Sequence, residues 1–443
     1  MEIINNTAKY ALLILAPLIL SACKLTVINE GGGTVTSASG TILCGSLCSA
    51  SYNDSTTEML TAVPDDGYRF TGWENGCTGT DTCSVTISRT SGNKSVKAVF
   101  QNDIPEYVAE MLTLPGSENC APNTTPLYVE VKHLNNKSEV AGDSSRNSTV
   151  FDTNIFYWAD AQNCTALGLG EAVFDEKVGG INNNSAILTH GLMFDPRVSM
   201  LRKWTTPSNA NDLLESRLIP LEWAGSSSVG ALPNREMTSL DINDTENAIY
   251  NVWDGNETSG SRQWLFWYDK STDTYTEILE KTYSVTGHNF SSNFPLSINN
   301  SNIAVTASTS TTFIIRDGVV TQTVPSFYGR DINDNGLVVG NSCEVFDTDT
   351  SVKAEALPEM HTCFKINNQN DVLGYDINSG EVAIGNIDTG TSYLLNQISD
   401  VNVKEAIDLN DLGDILVNIS GGPGDGNPTL EDPAILRRTN GAE

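Results

Sequence analysis

The chain has 443 residues, with 55 Asp and Glu against 25 Lys and Arg, so its formal net charge is −30 at pH 7. This balance excludes nucleic acid as an expected partner, because phosphate binding needs clustered Lys and Arg. The length suits two or three domains rather than one. Only 18 % of the residues are charged, and short runs of Asn, Asp, Ser, Thr and Gly indicate turn-rich β structure.

The N-terminal segment has the pattern of an export signal. An apolar run, ALLILAPLIL at 11–20, follows a short polar stretch and is too short to span a bilayer. The stretch LSAC that ends at Cys23 resembles the lipobox of bacterial lipoproteins. The resemblance implies a signal peptide over 1–22, cleavage before Cys23, and lipidation that anchors the protein to a membrane through several acyl chains. An ordinary cleaved signal with an incidental cysteine is the alternative.

Lys24 follows the expected lipidation site, and by resemblance to known sorting behaviour this favours the outer membrane. The sequence leaves open whether the protein then faces the periplasm or the cell exterior.

Residues 24–101 are predicted to form a small β domain. Short stretches that alternate apolar and polar residues are separated by glycine turns, as in LTVIN, GGG and TVTS. The segments GGGTVTS, CGSLCSASY, LTAVPDDGYRFTGWENGC and KSVKAVF resemble the divergent internalin-type B-repeat, a small β module of bacterial surface proteins. At least one of Trp73, Tyr68 and Phe70 is expected in its core, with a sugar-stacking platform formed by the three as the alternative.

Nine cysteines indicate an oxidising compartment, and eight remain to pair if Cys23 carries lipid. Four cysteines in the first domain allow three connectivities, and local pairs are favoured there. A zinc site is disfavoured because no C-x-x-C occurs among them. The expected disulfides are Cys44 with Cys48, Cys77 with Cys83, Cys120 with Cys164 and Cys343 with Cys363.

A linker is expected over 102–119, and beyond it the chain is repetitive. Seven ungapped copies of an eight-residue unit consist of Ile or Leu, Asn, Asn or Asp, three variable residues and two mostly aliphatic ones. The unit predicts a tight turn followed by a buried strand, because Asn and Asp side chains bond nearby backbone and tolerate left-handed geometry. The second position is always Asn: Asn135, Asn182, Asn243, Asn299, Asn333, Asn367 and Asn410.

The copies start 34 to 61 residues apart, which is the span of one β-propeller blade. A seven-bladed propeller is therefore predicted over 120–440, with each copy beginning a blade and LYVEV at 127–131 completing the last blade beside Ala434. A solenoid or two stacked sheets is the alternative. The best copy, INDNGLVVG at 332–340, resembles the HAF-type extracellular repeat, which implies a propeller-like extracytoplasmic domain and no particular reaction.

Few residues suggest chemistry. The four histidines, His133, His190, His288 and His361, show no metal-binding spacing, and no nucleophile elbow or phosphate-binding loop occurs. Asp331, Asn333 and Asn335 fit the opening of a calcium loop, but Ser342 stands where that loop needs its bidentate Glu. The same stretch is explained as a repeat turn, so no catalytic residue, cofactor or metal is expected, with calcium as the weak alternative.

These observations favour a lipid-anchored envelope or surface protein that acts as a non-catalytic binding or adhesion module. Its ligand is expected to be a surface protein or a glycan. Two alternatives remain open from the sequence: a propeller-based hydrolase or lyase acting on extracellular polysaccharide, and a scaffold for envelope assembly.

Overall fold

The computed structural model describes residues 23–44, 48–65, 67–102, 104–114, 128–147, 150–167, 173–194, 197–205, 215–219, 235–254, 261–283, 295–308, 311–420 and 431–439. They form β-strands almost throughout, with one short helix, α1 (Leu395–Ile398). No helix within these ranges is long and apolar enough to cross a membrane. The chain divides into two compact units, Met1–Ile104 and Pro105–Glu443. The all-β prediction is confirmed.

The first unit is a sandwich of two four-stranded sheets. Sheet A has the strand order β4-β1-β8-β6 and sheet B has the order β3-β2-β5-β7. All pairs are antiparallel except β1 with β8. The strands are β1 (Cys23–Asn29), β2 (Gly33–Ser37), β3 (Leu43–Cys44), β4 (Ser49–Tyr52), β5 (Thr56–Pro64), β6 (Tyr68–Glu74), β7 (Cys83–Ile87) and β8 (Lys94–Asn102).

Strict alternation builds the core of this unit. In β7 the residues alternate buried and exposed, so that Cys83, Val85 and Ile87 point inward. Trp73 is 4 % exposed and its indole N–H donates to the carbonyl of Asp81. Disulfides join Cys44 to Cys48 and Cys77 to Cys83. They constrain a domain too small to bury much surface.

The second unit is a ring of seven four-stranded antiparallel sheets, numbered here as blades 1 to 7. Blade 1 comprises β10 (Tyr128–Leu134), β11 (Val140–Asn147), β12 (Val150–Asp160) and β13 (Asn163–Leu167). Blade 2 comprises β14 (Val173–Ile181), β15 (Ala186–Phe194), β16 (Arg197–Thr205) and β17 (Glu215–Ile219). Blade 3 comprises β18 (Arg235–Ile242), β19 (Ala248–Asp254), β20 (Ser261–Asp269) and β21 (Thr274–Tyr283).

Blade 4 comprises β22 (Leu296–Ile298), β23 (Ile303–Ser308), β24 (Thr311–Arg316) and β25 (Val319–Pro325). Blade 5 comprises β26 (Gly329–Ile332), β27 (Leu337–Gly340), β28 (Glu344–Asp347) and β29 (Val352–Glu355). Blade 6 comprises β30 (Met360–Ile366), β31 (Asp371–Asp376), β32 (Val382–Asn386) and β33 (Thr391–Leu394). Blade 7 comprises β34 (Val403–Leu409), β35 (Ile415–Ser420), β36 (Glu431–Arg438) and β9 (Tyr107–Met111).

The strand that closes the ring differs from the prediction. LYVEV was expected to complete the last blade, but Tyr128–Leu134 is the first strand of blade 1 and pairs with β11. The last blade is instead completed by β9, which pairs with β36 and lies in the segment predicted to be a linker over 102–119. Arg437 on β36 also pairs with Glu110 on β9, with 2.7 Å between Nε and Oε2.

The repeat copies also sit one strand later in each blade than expected. The first residue of each copy ends the first strand of its blade, and the turn leads into the second strand, as at Ile181 in β14 and Ala186 in β15. The strand before each copy therefore belongs to the same blade. The alternatives of a solenoid or two stacked sheets are wrong, because blade 7 contacts blade 1, where the backbone N–H of Leu134 donates to Asp408, and closes the ring.

Candidate functional site

The seven repeat turns meet at the propeller axis, where they form two rings of hydrogen bonds. We call the buried one, formed by the second-position Asn, the inner ring, and the more exposed one, formed by the third position, the outer ring. Within each turn, the second-position Asn first stabilises its own loop. The side-chain oxygen of Asn182, for example, accepts from the backbone N–H of Asn184 at 3.0 Å and of Ala186 at 2.9 Å. All seven asparagines accept in the same way from the residue four positions later.

The side-chain amide of each of these asparagines then crosses to the next blade. It donates to the backbone carbonyl of the corresponding Asn there, at 2.9 to 3.1 Å, in all seven positions. The last bond runs from Asn410 back to Asn135, so the circle is complete. Every member is 3 or 4 % exposed. Position two must therefore both accept and donate, which Asn does and an ionised Asp does not.

The third position of the repeat forms an outer ring. Its backbone N–H donates to Oδ1 of the third residue in the next blade at 2.7 or 2.8 Å, again seven times. Only an acceptor oxygen is needed there, so Asn and Asp serve equally. This explains why that position is Asn136, Asn183, Asp244, Asn300, Asp334, Asn368 or Asp411.

The fifth position is held in left-handed backbone geometry in every copy. Glycine occupies it in two copies, at Gly336 (φ 78°) and Gly413 (φ 80°), and Glu246 takes it at φ 65°. Non-glycine residues pay a steric cost at such angles. In the other four copies the fifth position has φ between 58 and 63°, at Ser138, Ser185, Asn302 and Asn370.

The two rings surround an axial cavity of about 150 Å³, lined by the first three residues of all seven copies. The residue that precedes each copy has an ionisable side chain in five of the seven blades, and we call these five the charged layer: His133, Asp241, Asp331, Lys365 and Asp408. In three blades it is an aspartate, and each carboxylate accepts a backbone N–H from the next blade: Asp241 from Ile298, Asp331 from Ile366 and Asp408 from Leu134, all at 2.9 to 3.0 Å.

One lysine and one histidine accompany these carboxylates. Lys365 Nζ lies 3.0 Å from Asp408 Oδ1, and His133 Nδ1 lies 3.8 Å from Asp408 Oδ2. Burial opposes the charge on Lys365, but the carboxylates of Asp408, Asp331 and Asp241 outweigh it and raise the pKa of the lysine. Burial lowers the pKa of His133 to about 4 against the attraction of Asp408. Burial raises the pKa of Asp241 to about 7, although Lys365 opposes it.

The calcium-loop residues do not converge. Asp331 belongs to the charged layer, and its carboxylate accepts from Ser297 Oγ and from the N–H of Ile366. Asn333 belongs to the inner ring, and the Asn335 amide donates to the carbonyl of Asn368 at 3.0 Å. These three side chains therefore bond to different partners. No group of three or more His, Cys, Asp or Glu suited to a metal occurs in the part of the chain that the structure describes.

The remaining predicted residues are dispersed. Cys343 and Cys363 form a disulfide between blades 5 and 6. Cys164 is disulfide-bonded, while Cys120 and His288 lie outside the described residues. Burial lowers the pKa of His190 to about 4, and His361 stacks on Tyr375 with ring centroids 6.0 Å apart.

Cys23 begins β1 and its side chain is only 7 % exposed, with Sγ 3.3 Å from the carbonyl oxygen of Ser88. The sugar-stacking alternative in the small domain does not form. Trp73 is buried, and Phe70 packs against it edge to face at 5.0 Å. Tyr68 alone of the three is substantially exposed.

Sequence reasoning found the turn asparagines but missed their cross-blade role and the charged layer. The signal for the charged layer was present, since Asp immediately precedes the repeat at Asp241, Asp331 and Asp408.

One family model matches part of the chain, and several solved structures of low sequence identity have a similar fold. Residues 23–104 match the divergent InlB B-repeat domain. No curated protein sequence matches the chain.

Among solved structures, the chain is similar to the β-propeller domain of the Trilobed protease from Pyrococcus furiosus, at 10 % identity and a TM-score of 0.42, covering 72 % of this chain and 98 % of that one. It is similar to an acylaminoacyl peptidase from Pyrococcus horikoshii, at 10 % identity and a TM-score of 0.46, covering 71 % of this chain and 52 % of that one. It is also similar to the polysaccharide lyase Uly1, at 7 % identity and a TM-score of 0.37, covering 96 % and 98 %. At these identities and TM-scores, none of the three proteins assigns an activity to this chain. The chain therefore contains a region, residues 23–104, that matches the divergent InlB B-repeat domain, and this region is followed by a seven-bladed β-propeller.

Proposed function

We propose that this protein is a lipid-anchored protein of the bacterial cell envelope or surface that binds its ligands without transforming them. The observation that carries the proposal is the commitment of the axial polar groups to the fold. The axis is where side chains from all blades converge, and there the asparagines of the inner ring each accept within their own turn and donate to the next blade.

The carboxylates on the axis support the same reading. Six of them lie there, and each accepts a hydrogen bond from a neighbouring blade: Asp241, Asp244, Asp331, Asp334, Asp408 and Asp411. A general acid or base must reach the proton that it transfers, and these groups are held in place by the contacts that join the blades. The geometry favours a rigid ring over a catalytic centre.

A lipid anchor at Cys23 requires a local change at the start of the first strand, β1. A lipid attached to the thiol of Cys23 does not fit the buried position beside Ser88, so lipidation requires this residue to turn outward. Cys23 is the terminal residue of β1 and pairs with Tyr52 at the end of the sheet. Detaching one end residue leaves the partners of Leu25 and Thr26 in place.

Two experiments test the proposal. The first is metabolic labelling with a radioactive fatty acid and membrane fractionation of cells that express the full chain or its Cys23→Ser variant. We expect label and membrane association only in the first. Label in both, or in neither, would refute the anchor. Protease treatment of intact cells then shows which side of the envelope the protein faces.

The second experiment screens the soluble protein, begun at Lys24, against glycan and protein arrays, and assays the same polysaccharides for new reducing ends or unsaturated products. Binding with no product supports the proposal. A product that depends on Asp244, Asp334 or Asp411 would instead establish the alternative of a polysaccharide hydrolase or lyase, for which the convergence of carboxylates on the axis is the favourable observation. Binding only to envelope proteins would support an assembly scaffold.

A further inference from the structure

The outer face of sheet B carries no charged side chain. Strand alternation directs four residues of β5 outward: Thr57, Met59, Thr61 and Val63. The outward residues of the neighbouring strands are Thr34 and Thr36 of β2, Leu43 of β3, and Ser84 and Thr86 of β7. All nine are uncharged in a chain whose net charge is −30.

These side chains form one continuous surface. On one side of β5, Val63 lies opposite Thr34 and Thr61 opposite Thr36, which in turn lies opposite Leu43. The other side pairs Met59 with Ser84 and Thr57 with Thr86. Val63, Leu43 and Met59 are 54, 50 and 49 % exposed. We call these nine residues the neutral face.

The outer face of sheet A has the opposite character. Lys24, Arg69, Glu74 and Lys97 point outward there, and Lys97 lies 3.2 Å from Glu30 and 3.7 Å from Glu74. One small domain therefore presents a charged face and a neutral face. Charged side chains such as those of sheet A keep exposed β surfaces soluble and apart from other proteins, and the outer face of sheet B has none of them.

The size and composition of the neutral face indicate which class of ligand it can bind. Strands about 4.8 Å apart, with residues rising about 3.3 Å each, give a face on the order of 400 Å². A stable protein interface needs about 800 Å² per partner, and its core is enriched in aromatic residues and Arg, which are lacking on this face. A second copy of a chain with charge −30 is also repelled.

Six of the nine residues carry hydroxyl groups, which both donate and accept hydrogen bonds. Met59, Val63 and Leu43 add apolar contact between them. From this chemistry we propose that the neutral face binds an uncharged polysaccharide, through hydroxyl hydrogen bonds and contacts with C–H groups of the sugar rings. The inference deepens the proposed binding function and rests on it, by assigning a face and a ligand class.

The test uses the protein from Lys24 to Glu443 and three uncharged polymers: insoluble cellulose, chitin and cross-linked dextran. Alginate serves as an acidic comparison. We expect retention on at least one neutral polymer, little change with salt, and no retention on alginate. Thr61→Lys and Met59→Lys, each placing a charge at the centre of the face, should weaken retention at least tenfold. Ser95→Lys, which adds the same charge to the exposed face of sheet A, should leave it unchanged.

Retention on no neutral polymer overturns the inference, and so does retention that Thr61→Lys and Met59→Lys do not alter. Concentration-dependent dimerisation that Thr61→Lys abolishes, measured by sedimentation, also overturns it in favour of a protein interface. These failures are distinguishable from failure of the proposed function. Binding through the propeller leaves that function intact, whereas release of sugar products refutes it without touching the neutral face.

Discussion

Replacing Asn333 with Asp isolates the donor role of the inner ring. The Asn333 amide donates to the carbonyl oxygen of Asn367 at 2.9 Å and to Oδ1 of Asn370 at 3.0 Å, while its own oxygen accepts from Leu337. Asp keeps the accepting oxygen and replaces the donor with a second oxygen. Asn333 is 3 % exposed, so the new carboxylate would be buried against two acceptors.

The expected loss is about 3 kcal/mol of unfolding free energy at pH 8, because buried acceptors lose their donor and a charge is buried without a partner. Burial raises the pKa of the introduced carboxyl above its value in the unfolded chain. The protonated form can donate, so this group stabilises the fold at low pH and the contribution is lost as pH rises through its folded pKa. The loss should therefore narrow to about 1 kcal/mol near pH 5.

Denaturant unfolding of the propeller, followed by circular dichroism at the two pH values, measures both quantities. Asn335→Asp is the matched control. It also removes an amide donor, to the carbonyl of Asn368 at 3.0 Å, but on an exposed residue of the same turn where water can replace the lost bond, so it should change stability by no more than about 1 kcal/mol. If Asn333→Asp is as stable as Asn335→Asp at pH 8, or if its deficit does not depend on pH, the donor role assigned to the inner ring is wrong.

Three further changes test the propeller. Arg437→Met should cost about 3 kcal/mol, because it leaves Asp414, 2.7 Å from Arg437 and itself buried, without its cation; unchanged denaturation would contradict this. The pKa of Asp241, raised to about 7 by burial, predicts that stability declines by about 2 to 3 kcal/mol from pH 5 to pH 8 through this group, and Asp241→Asn should flatten that slope; an equal slope in both proteins would refute it. Replacing Cys343 and Cys363 together with Ser opens a loop of 20 residues and should cost about 3 kcal/mol, a deficit that disappears when the parent protein is measured in reductant.

The sequence predicted the blade count because each blade repeats one local solution, an Asn turn between two strands. The same reasoning could not show why the second position is invariably Asn. Its turn needs only the side-chain oxygen, which Asp also offers, whereas the amide is required by a carbonyl in the next blade, 34 to 61 residues away in six copies and 275 residues away in the last. Such a distant acceptor leaves no local pattern.

The closing strand was missed for a related physical reason. Tyr107–Met111 is five residues long and pairs with β36, more than 320 positions along the chain. Its alternation is weak, with Tyr107 buried, Val108 exposed and the next three residues half-buried. LYVEV had the stronger strand pattern and also lies next to blade 1 in sequence, where local pairing with β11 is available to it. The strand at 128–134 therefore pairs with β11, which is near it in the chain, and the segment with the weaker strand pattern, 107–111, pairs with β36 and closes the ring.

The short connection between β8 and β9 has a mechanical consequence. Only four residues separate Asn102 from Tyr107, so the small domain is tethered directly to the strand that closes the propeller. Any tension applied from the N-terminal side is delivered first to β9 and its bonds with β36, including the pair between Glu110 and Arg437. Blade 7 is therefore the element that sets how much load the propeller can bear before the ring opens.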